Sequence, residues 1–309
     1  MRLAFNRLCF ILAEADSFYH IQIGRVMSRL VEDRRIKYPL LASKVVDYVT
    51  KRQNEDGGYT FCQGAESNGQ DTYYGLAILS LLNASFPNAE NTIRFLKEPD
   101  LDLGNIYSHY YSTKALLLCG EEPNENLKNH ISLVANLKRH SSFADVLPEV
   151  SSEFTTIFMT LELAGLLGIQ LPKNSLKEWL LRFKNRDGGL SSEEHSNINS
   201  TYYAVASLAL LNVDIKDLRE TVKFVRECEK AYGGFTLIPV NVEPYVEHTY
   251  YGVMTLHLLG ENCRYPSQTV DFLLKCQNKN GGFARSDPGI STFENTFQSI
   301  SVLRKLGFL

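Results

Sequence analysis

Half-polar and fully apolar segments alternate along the chain and recur about every 45 residues. Six apolar segments can be aligned by their opening residues, which are 37, 48, 44, 48 and 47 residues apart: Thr72, His109, Ile157, Thr201, Thr249 and Thr296. A fixed period of this size predicts a repeat architecture, in which each unit buries its apolar face against its neighbours.

Each unit is predicted to contain two helices. The first, as in SLKEWLLRFKNRDGG and SQTVDFLLKCQNKNGG, has apolar residues at helical spacing. It is expected to begin at a Ser or Asp N-cap and to end at Gly. Gly pairs precede four of the six apolar segments, at 57–58, 188–189, 233–234 and 281–282.

The second predicted helix of each unit is apolar on nearly every face, as in TYYAVASLALLN and TYYGVMTLHLLG. Such a helix must be surrounded by protein. Twelve helices of alternating character therefore predict an all-α (α/α)6 double-layered barrel, or toroid, with the apolar helices inside. We expect one barrel domain over residues 37–309. An open solenoid is the alternative, and closure is favoured because no unit has an obviously polar capping face.

Residues 1–36 precede the first repeat and are expected to form an N-terminal helical extension. Their longest apolar stretch, LCFILA, is too short for a signal-peptide core or a membrane span. A cytoplasmic location is the resulting expectation.

The composition agrees with one soluble domain. The chain has 309 residues, of which 44% are hydrophobic, and a net charge of -3, so it offers no basic field for nucleic acid. Its six cysteines are scattered without a CxxC pair, which favours buried, reduced thiols.

Aromatic residues recur near the start of each apolar helix. If one member of each pair faces the barrel axis, they form a ring suited to an apolar chain or a carbocation, whereas the alternative is packing between the layers. The candidates are Tyr73, Tyr74, Tyr110, Tyr111, Phe158, Tyr202, Tyr203, Tyr250, Tyr251 and Phe297.

The Q-x-x-x-GG-[FY] phrase followed by a Tyr-rich helix resembles the prenyltransferase β-subunit and squalene-cyclase superfamily. RQNEDGGYTF and GGFARSDPGISTFENTF carry this resemblance, which covers about residues 38–309 and is nearest in length and phrasing to protein geranylgeranyltransferase β subunits. It implies an (α/α)6 barrel whose aromatic central cavity binds an isoprenoid. It also implies a helical partner subunit, and a homodimer formed through the N-terminal segment is equally open.

The zinc ligands of the resembled prenyltransferases, an Asp-x-Cys pair and a His, have no full counterpart here. In one alignment of the last two units the three positions are Tyr245, Glu247 and Asn295, and in a second His248 is preceded by Asn197 and Asn199. Neither set closes a zinc site, because a neutral amide is a weak ligand. No metal or other cofactor is therefore expected, and zinc is the alternative left open although its ligand pattern is absent.

Two further family patterns are incomplete. The diphosphate pocket of the family needs several cations, and Arg285 is the one basic residue of the Gly-Gly loops near such a position. The Asp-x-Asp-Asp-Thr acid motif of the cyclases corresponds to the stretch from Asn68 to Thr72, in which only Asp71 is kept and Gln70 replaces the central acid.

Asp71, Glu247 and His248 are the candidate catalytic groups, with Glu294 at the same level. A carboxylate beside a His in an aromatic cavity would have a shifted pKa, whereas the alternative is that these acids cap the inner helices. The predicted function is a prenyltransferase-like protein that binds an isoprenoid or similar apolar ligand. A non-catalytic lipid- or protein-binding barrel and a metal-independent cyclase-like enzyme are the alternatives.

Overall fold

The computed structural model describes residues 38–97, 106–122, 153–169 and 173–309, so the expected N-terminal extension lies outside the described residues. The described part contains eleven α-helices and one short hairpin. The helices are α1 Pro39–Thr50, α2 Gly69–Leu81, α3 Ala89–Lys97, α4 Ile106–Leu118, α5 Glu153–Leu166, α6 Lys173–Leu181, α7 Ile198–Leu210, α8 Arg219–Cys228, α9 Val246–Leu258, α10 Pro266–Lys275 and α11 Phe293–Lys305; the antiparallel strands are β1 Phe283–Ala284 and β2 Ser291–Thr292.

Six inner helices form a closed ring. Contacts run from α2 to α4, and then to α5, α7, α9 and α11, and α11 returns to α2. Five further helices, α1, α3, α6, α8 and α10, lie outside this ring. The predicted closed, double-layered α/α barrel is confirmed, and the open solenoid is wrong. The sixth predicted outer helix falls in residues outside the described part.

The inner helices begin three or four residues before the predicted openers. Asn68 caps α2, because its side-chain oxygen accepts the Asp71 amide at 2.8 Å, and Asn197 caps α7 in the same way. The Thr residues that recur near the starts of the inner helices have a different role from these Asn caps. Thr249 Oγ1 accepts the Phe235 amide at 3.0 Å and donates to the Tyr245 carbonyl at 2.8 Å, so it ties the helix to the preceding loop.

The predicted ends of the outer helices are wrong in detail. Ser175 and Ser267 lie inside α6 and α10, and Asp217 lies two residues before α8. At α10 the start is supplied by Pro266, whose fixed φ suits the first helical position. The Gly pairs also do not cap these helices, which end several residues earlier; the pairs belong to the loops that lead to the inner helices.

Each Gly pair seats its loop against the next outer helix. Gly233 has φ of +105°, and a methyl group added there would overlap the backbone carbonyl of Gln268 on α10. Gly234 lies against the ring of Phe272 on the same helix. The last pair packs in the same way on α1, where Gly281 approaches Lys44. The outer layer is thereby joined from the last repeat back to the first described helix.

The core lies between the two layers and consists of aliphatic and aromatic side chains from both. Leu76, Ile78, Phe224 and Leu256 are almost completely buried there. No helix within the described residues is long and apolar enough to cross a membrane. Of the described cysteines, all are free thiols, but Cys62 is exposed, so the expectation of burial is wrong for that residue.

Candidate functional site

A central aromatic cluster lies inside the ring at the level of the fifth and sixth residues of the inner helices. Rings of neighbouring helices contact one another, with centroids 5.5 Å apart for Tyr74 and Tyr111, 5.9 Å for Tyr202 and Tyr250 and 5.3 Å for Tyr74 and Phe297. Nine of the ten predicted aromatic residues take part in such contacts, and the ring of the tenth, Tyr110, contacts Tyr111 on its own helix. The nine are Tyr73, Tyr74, Tyr111, Phe158, Tyr202, Tyr203, Tyr250, Tyr251 and Phe297.

The phenol groups of this cluster form hydrogen bonds with one another. The hydroxyl oxygens of Tyr203 and Tyr251 are 3.0 Å apart, and those of Tyr74 and Tyr111 are 3.3 Å apart. Burial raises the pKa of Tyr74 and Tyr251 well above the ordinary value, so both phenols are neutral. The pairing satisfies polar atoms that would otherwise be costly to bury.

Several of these central side chains keep some accessible surface. Phe158, Tyr203, Tyr250 and Phe297 are only partly buried, although the ring of helices surrounds them. Side chains in the core between the layers, such as Leu76, have 0% exposure. These four side chains are therefore less completely enclosed than those between the layers.

Three carboxylates lie in the first turns of three inner helices, one turn nearer the helix N-termini than the aromatic cluster. We call this group the carboxylate rim: Asp71 on α2, Glu247 on α9 and Glu294 on α11. Burial raises the pKa of all three above its ordinary value. The positive ends of the helix dipoles favour negative charge at these positions, so the two effects oppose each other.

Asp71 takes part in a capping arrangement. One of its carboxylate oxygens accepts the Phe61 amide at 3.1 Å and the side-chain amide of Asn68 at 3.0 Å. Burial raises the pKa of Asp71, while these two hydrogen bonds lower it. The side chain therefore has at least a structural role at the start of α2.

Glu247 and His248 lie together next to Arg285. The guanidinium of Arg285 is 2.7 Å from Glu247 and packs over the ring of Tyr245, and the carboxylate is 3.8 Å from His248 Nε2. Burial, helped by Arg285, lowers the pKa of His248 to about 4, so the imidazole is neutral near pH 7. Its Nδ1 atom is buried and has no hydrogen-bond partner among the residues that the structure describes.

Glu294 joins the carboxylate rim to the aromatic cluster. One of its oxygens accepts a hydrogen bond from the Tyr74 hydroxyl at 3.4 Å. Burial raises the pKa of Glu294, and the negative charges of Glu247 and Asp71 raise it further, while the Tyr74 bond lowers it. Glu294 is thus the carboxyl of the rim that directly contacts the aromatic cluster.

A buried ion pair on the wall of the ring was not predicted from the sequence. Lys114 on α4 lies 2.8 Å from Glu162 on α5, with side-chain exposures of 8% and 6%. Tyr110 donates a hydrogen bond to Glu162 and accepts one from Lys114 at 3.0 Å. We call these three residues the inner polar triad. Its signal in the sequence is a charged residue in each of two helices that otherwise lack a polar face.

The residues at the zinc-ligand positions do not fit a zinc ion. The Asn295 amide accepts a hydrogen bond from Thr292 and donates one to Gln298, and Glu247 is paired with Arg285. In the second alignment the Asn197 oxygen caps α7. Among the described residues no group of three or more His, Cys, Asp or Glu side chains is placed to hold a metal ion. Zn²⁺ needs several such donors with free lone pairs.

A closed ring of six apolar helices inside an outer helical layer, with aromatic side chains at its centre, defines an α/α toroid. The chain matches the family described as "Prenyltransferase alpha-alpha toroid domain" over residues 17–104, 97–212 and 126–307. It belongs to this family. No curated protein sequence gives a significant match.

Solved structures with the same fold include two kinds of isoprenoid enzyme. Protein geranylgeranyltransferase-I from Candida albicans, complexed with GGPP, aligns with a TM-score of 0.65 and 18% identity over 85% of this chain and 90% of that one. A variant of the type II terpene cyclase MstE from Scytonema, complexed with geranylgeranyl dihydroxybenzoate, aligns with a TM-score of 0.60 and 13% identity over 88% and 98%. At these identities the likeness shows a shared fold.

Proposed function

We propose that this protein binds an isoprenoid, or a similar apolar chain, along the axis of its inner ring. The observation that carries the proposal is the central aromatic cluster, whose members surround the axis and yet keep accessible surface. Aromatic faces offer a large apolar area to a hydrocarbon chain. The solved relatives complexed with GGPP and with geranylgeranyl dihydroxybenzoate support this ligand class.

The hydrogen bonding of the tyrosines also supports an apolar ligand. The eight tyrosines of the cluster carry polar hydroxyl groups, but neighbouring hydroxyls form hydrogen bonds with each other, as those of Tyr203 and Tyr251 do. A hydroxyl that already has a hydrogen-bond partner does not need a polar group on the ligand, so the faces of the aromatic rings can contact hydrocarbon. The wall is therefore apolar in effect except at the inner polar triad.

The carboxylate rim distinguishes this proposal from a diphosphate-binding transferase. Asp71, Glu247 and Glu294 bring negative or neutral carboxyl groups to the region where a head group would lie, and the charge of Arg285 is compensated by Glu247. A diphosphate requires neutralisation by several cations in such surroundings. We therefore propose a ligand with an uncharged head group and no zinc-dependent step.

Native mass spectrometry with metal analysis tests this proposal. The protein is incubated separately with farnesyl and geranylgeranyl diphosphates and with the corresponding alcohols, farnesol and geranylgeraniol. We expect a one-to-one adduct with an alcohol, weaker retention of the diphosphates and no stoichiometric zinc. Stoichiometric zinc with bound diphosphate would instead support a transferase, and no adduct with any of the four compounds would contradict isoprenoid binding.

A cyclase-like reaction is the second candidate, and the position of Glu294 favours it. Its carboxyl group contacts Tyr74 at the edge of the aromatic cluster, and burial beside Glu247 raises its pKa, so it can hold a proton near an alkene. Proton transfer to one alkene would leave a carboxylate and a carbocation facing the aromatic rings. A second alkene of the chain would then attack the cation and close a ring, and loss of a proton from the cyclised cation to the carboxylate would give an isomer and restore the acid. Asp71, Glu247 and His248 remain the other proposed acid-base groups.

Product analysis after incubation with geranylgeraniol tests the second candidate. Gas chromatography with mass spectrometry is expected to detect a cyclised isomer of unchanged mass, and E294Q should abolish it while alcohol binding persists. The Gln298 side chain, 3.4 Å from Glu294, offers a matched control, since Q298E alters the same surroundings without removing the acid. Unchanged substrate in every case would leave a binding barrel without this activity.

A further inference from the structure

The inner polar triad of Lys114, Glu162 and Tyr110 lies on the wall of the same ring, and the charged groups of Lys114 and Glu162 have no role in the hydrocarbon binding proposed above. Its charged members are more than nine-tenths buried. Burial alone would lower the pKa of Lys114, but the nearby Glu162 and Tyr73 more than offset this and raise it above its ordinary value. The lysine is therefore a cation near neutral pH, paired with the Glu162 carboxylate inside the barrel.

The triad faces the interior of the ring rather than the space between the layers. The ammonium of Lys114 lies over the ring of Tyr73, 5.0 Å from its centroid, and over that of Tyr110 at 4.7 Å. Burial raises the pKa of Tyr250, and the positive charge of Lys114 acts to lower it. Tyr250 is on α9, which lies across the ring from α4. The ion pair thus lies beside the aromatic cluster that we propose as the ligand wall.

A wall that bound only hydrocarbon would gain nothing from this pair. Burying two charges is costly before their attraction is counted, and apolar residues of the same volume are often as stable or more so. The triad also leaves hydrogen-bonding capacity unused. Each Glu162 oxygen accepts one bond within the triad and has a second lone pair. Burial raises the pKa of Tyr73, whose ring lies beside the Lys114 ammonium, so its neutral hydroxyl keeps a hydrogen that it can donate.

From these contacts we propose that the inner polar triad, together with Tyr73, is a subsite for an oxygen-bearing group of the apolar ligand. A ligand hydroxyl can accept a hydrogen bond from Tyr73 and donate one to Glu162, and a carbonyl can accept from Tyr73. This inference rests on the proposed isoprenoid binding and deepens it. The ring then selects oxygenated isoprenoids over pure hydrocarbons of equal length.

Paired binding measurements test the subsite. The probes are farnesol and β-farnesene, which share a chain length but differ in oxygen, and their dissociation constants are measured by titration of the full chain. Hydrogen bonds to charged groups contribute about 1.5–3 kcal/mol, so farnesol should bind about 10–100-fold more tightly. The triad variant K114M/E162M removes both charged groups and keeps every ring of the central aromatic cluster, so it should lower the ratio toward one, with β-farnesene binding retained.

The outcomes separate this inference from the proposed function. Equal binding of both probes by the wild type, or a preference that survives in the triad variant, would overturn the polar subsite while isoprenoid binding stands. Loss of the preference in R285A with the triad intact would place oxygen recognition at the carboxylate rim and would also overturn it. Failure of both probes to bind would overturn the proposed function and the subsite together. Circular dichroism confirms that each variant is folded.

Discussion

At the scale of single residues, the chain uses small or polar side chains where two backbones approach closely. Gly233 is an example, because its loop lies directly on the backbone of α10 at Gln268. The Gly pairs are visible in the sequence, but the residue that Gly233 approaches is 35 residues away, and this contact cannot be seen there. The sequence therefore predicted glycine at a helix end, whereas the structure explains it by a contact between successive repeats.

We expect G233A to destabilise the protein by about 3 kcal/mol, because a methyl group would overlap the Gln268 carbonyl and the φ of +105° disfavours alanine. G260A is the matched control. Gly260 has φ of +76°, but a methyl group there meets open space, so the expected cost is about 1 kcal/mol. Urea denaturation of both variants measures the difference, and equal losses would show that conformation alone explains the glycine.

A second residue-scale prediction concerns pH. The pKa of His248 is about 4 in the folded protein and about 6.5 when unfolded, so the unfolded chain binds more protons between these values. Through His248, stability should therefore fall as the pH drops from about 6.5 to 4, and should not depend on pH above that window. The raised pKa values of Asp71, Glu247 and Glu294 act in the opposite sense, since the folded state holds their protons to higher pH.

The variant H248Q isolates the histidine contribution. The free energy of unfolding of H248Q minus that of the wild type should rise as the pH falls through this window and stay constant from about 6.5 to 8. The carboxylates are present in both proteins and largely cancel in the difference. Urea denaturation over the pH series provides the values, and a difference that does not change with pH would contradict a buried, neutral His248.

At the scale of secondary-structure elements, the sequence predicted helix types better than helix ends. The inner helices were recognisable because a helix without a polar face must be enclosed. Their starts were placed at Thr residues such as Thr249, whereas these residues bind the preceding loop and the helix begins three residues earlier. The link from Lys114 to Glu162 was also missed, because pairing between α4 and α5 depends on a contact 48 residues apart.

We expect E162M to destabilise the protein by about 3–5 kcal/mol, because it leaves the Lys114 ammonium buried without its carboxylate. The double variant K114M/E162M removes both charges and should recover stability to within about 1 kcal/mol of the wild type. A double-mutant cycle from urea denaturation provides the coupling energy. If the losses of stability in the single variants K114M and E162M add up to that of the double variant, the pair does not join α4 to α5.

At the scale of the whole molecule, ring closure makes the repeats depend on one another. The contact of α11 with α2, and of the last Gly-Gly loop with α1, joins the ends of the described repeats. An open repeat array can unfold from its ends, whereas a closed ring loses interfaces on both sides of any unit that leaves. The sequence indicated this closure only through the absence of a polar capping face. Binding to a partner subunit and formation of a homodimer remain predictions.

We therefore expect a single cooperative unfolding transition. The chain has one tryptophan, Trp179 on α6, so its fluorescence reports one outer helix while far-ultraviolet circular dichroism reports all helices. In a urea titration the two signals should give the same midpoint. Separate midpoints would indicate that the region around α6 unfolds independently of the rest of the ring.

The most direct test of the central claim is a crystal structure of the protein grown with geranylgeraniol. We predict electron density for the chain along the axis of the inner ring, in contact with the central aromatic cluster around Tyr73, Tyr203 and Tyr250, and with its oxygen at the inner polar triad. An axis without ligand, or an alcohol bound only to the outer surface, would contradict isoprenoid binding by the ring.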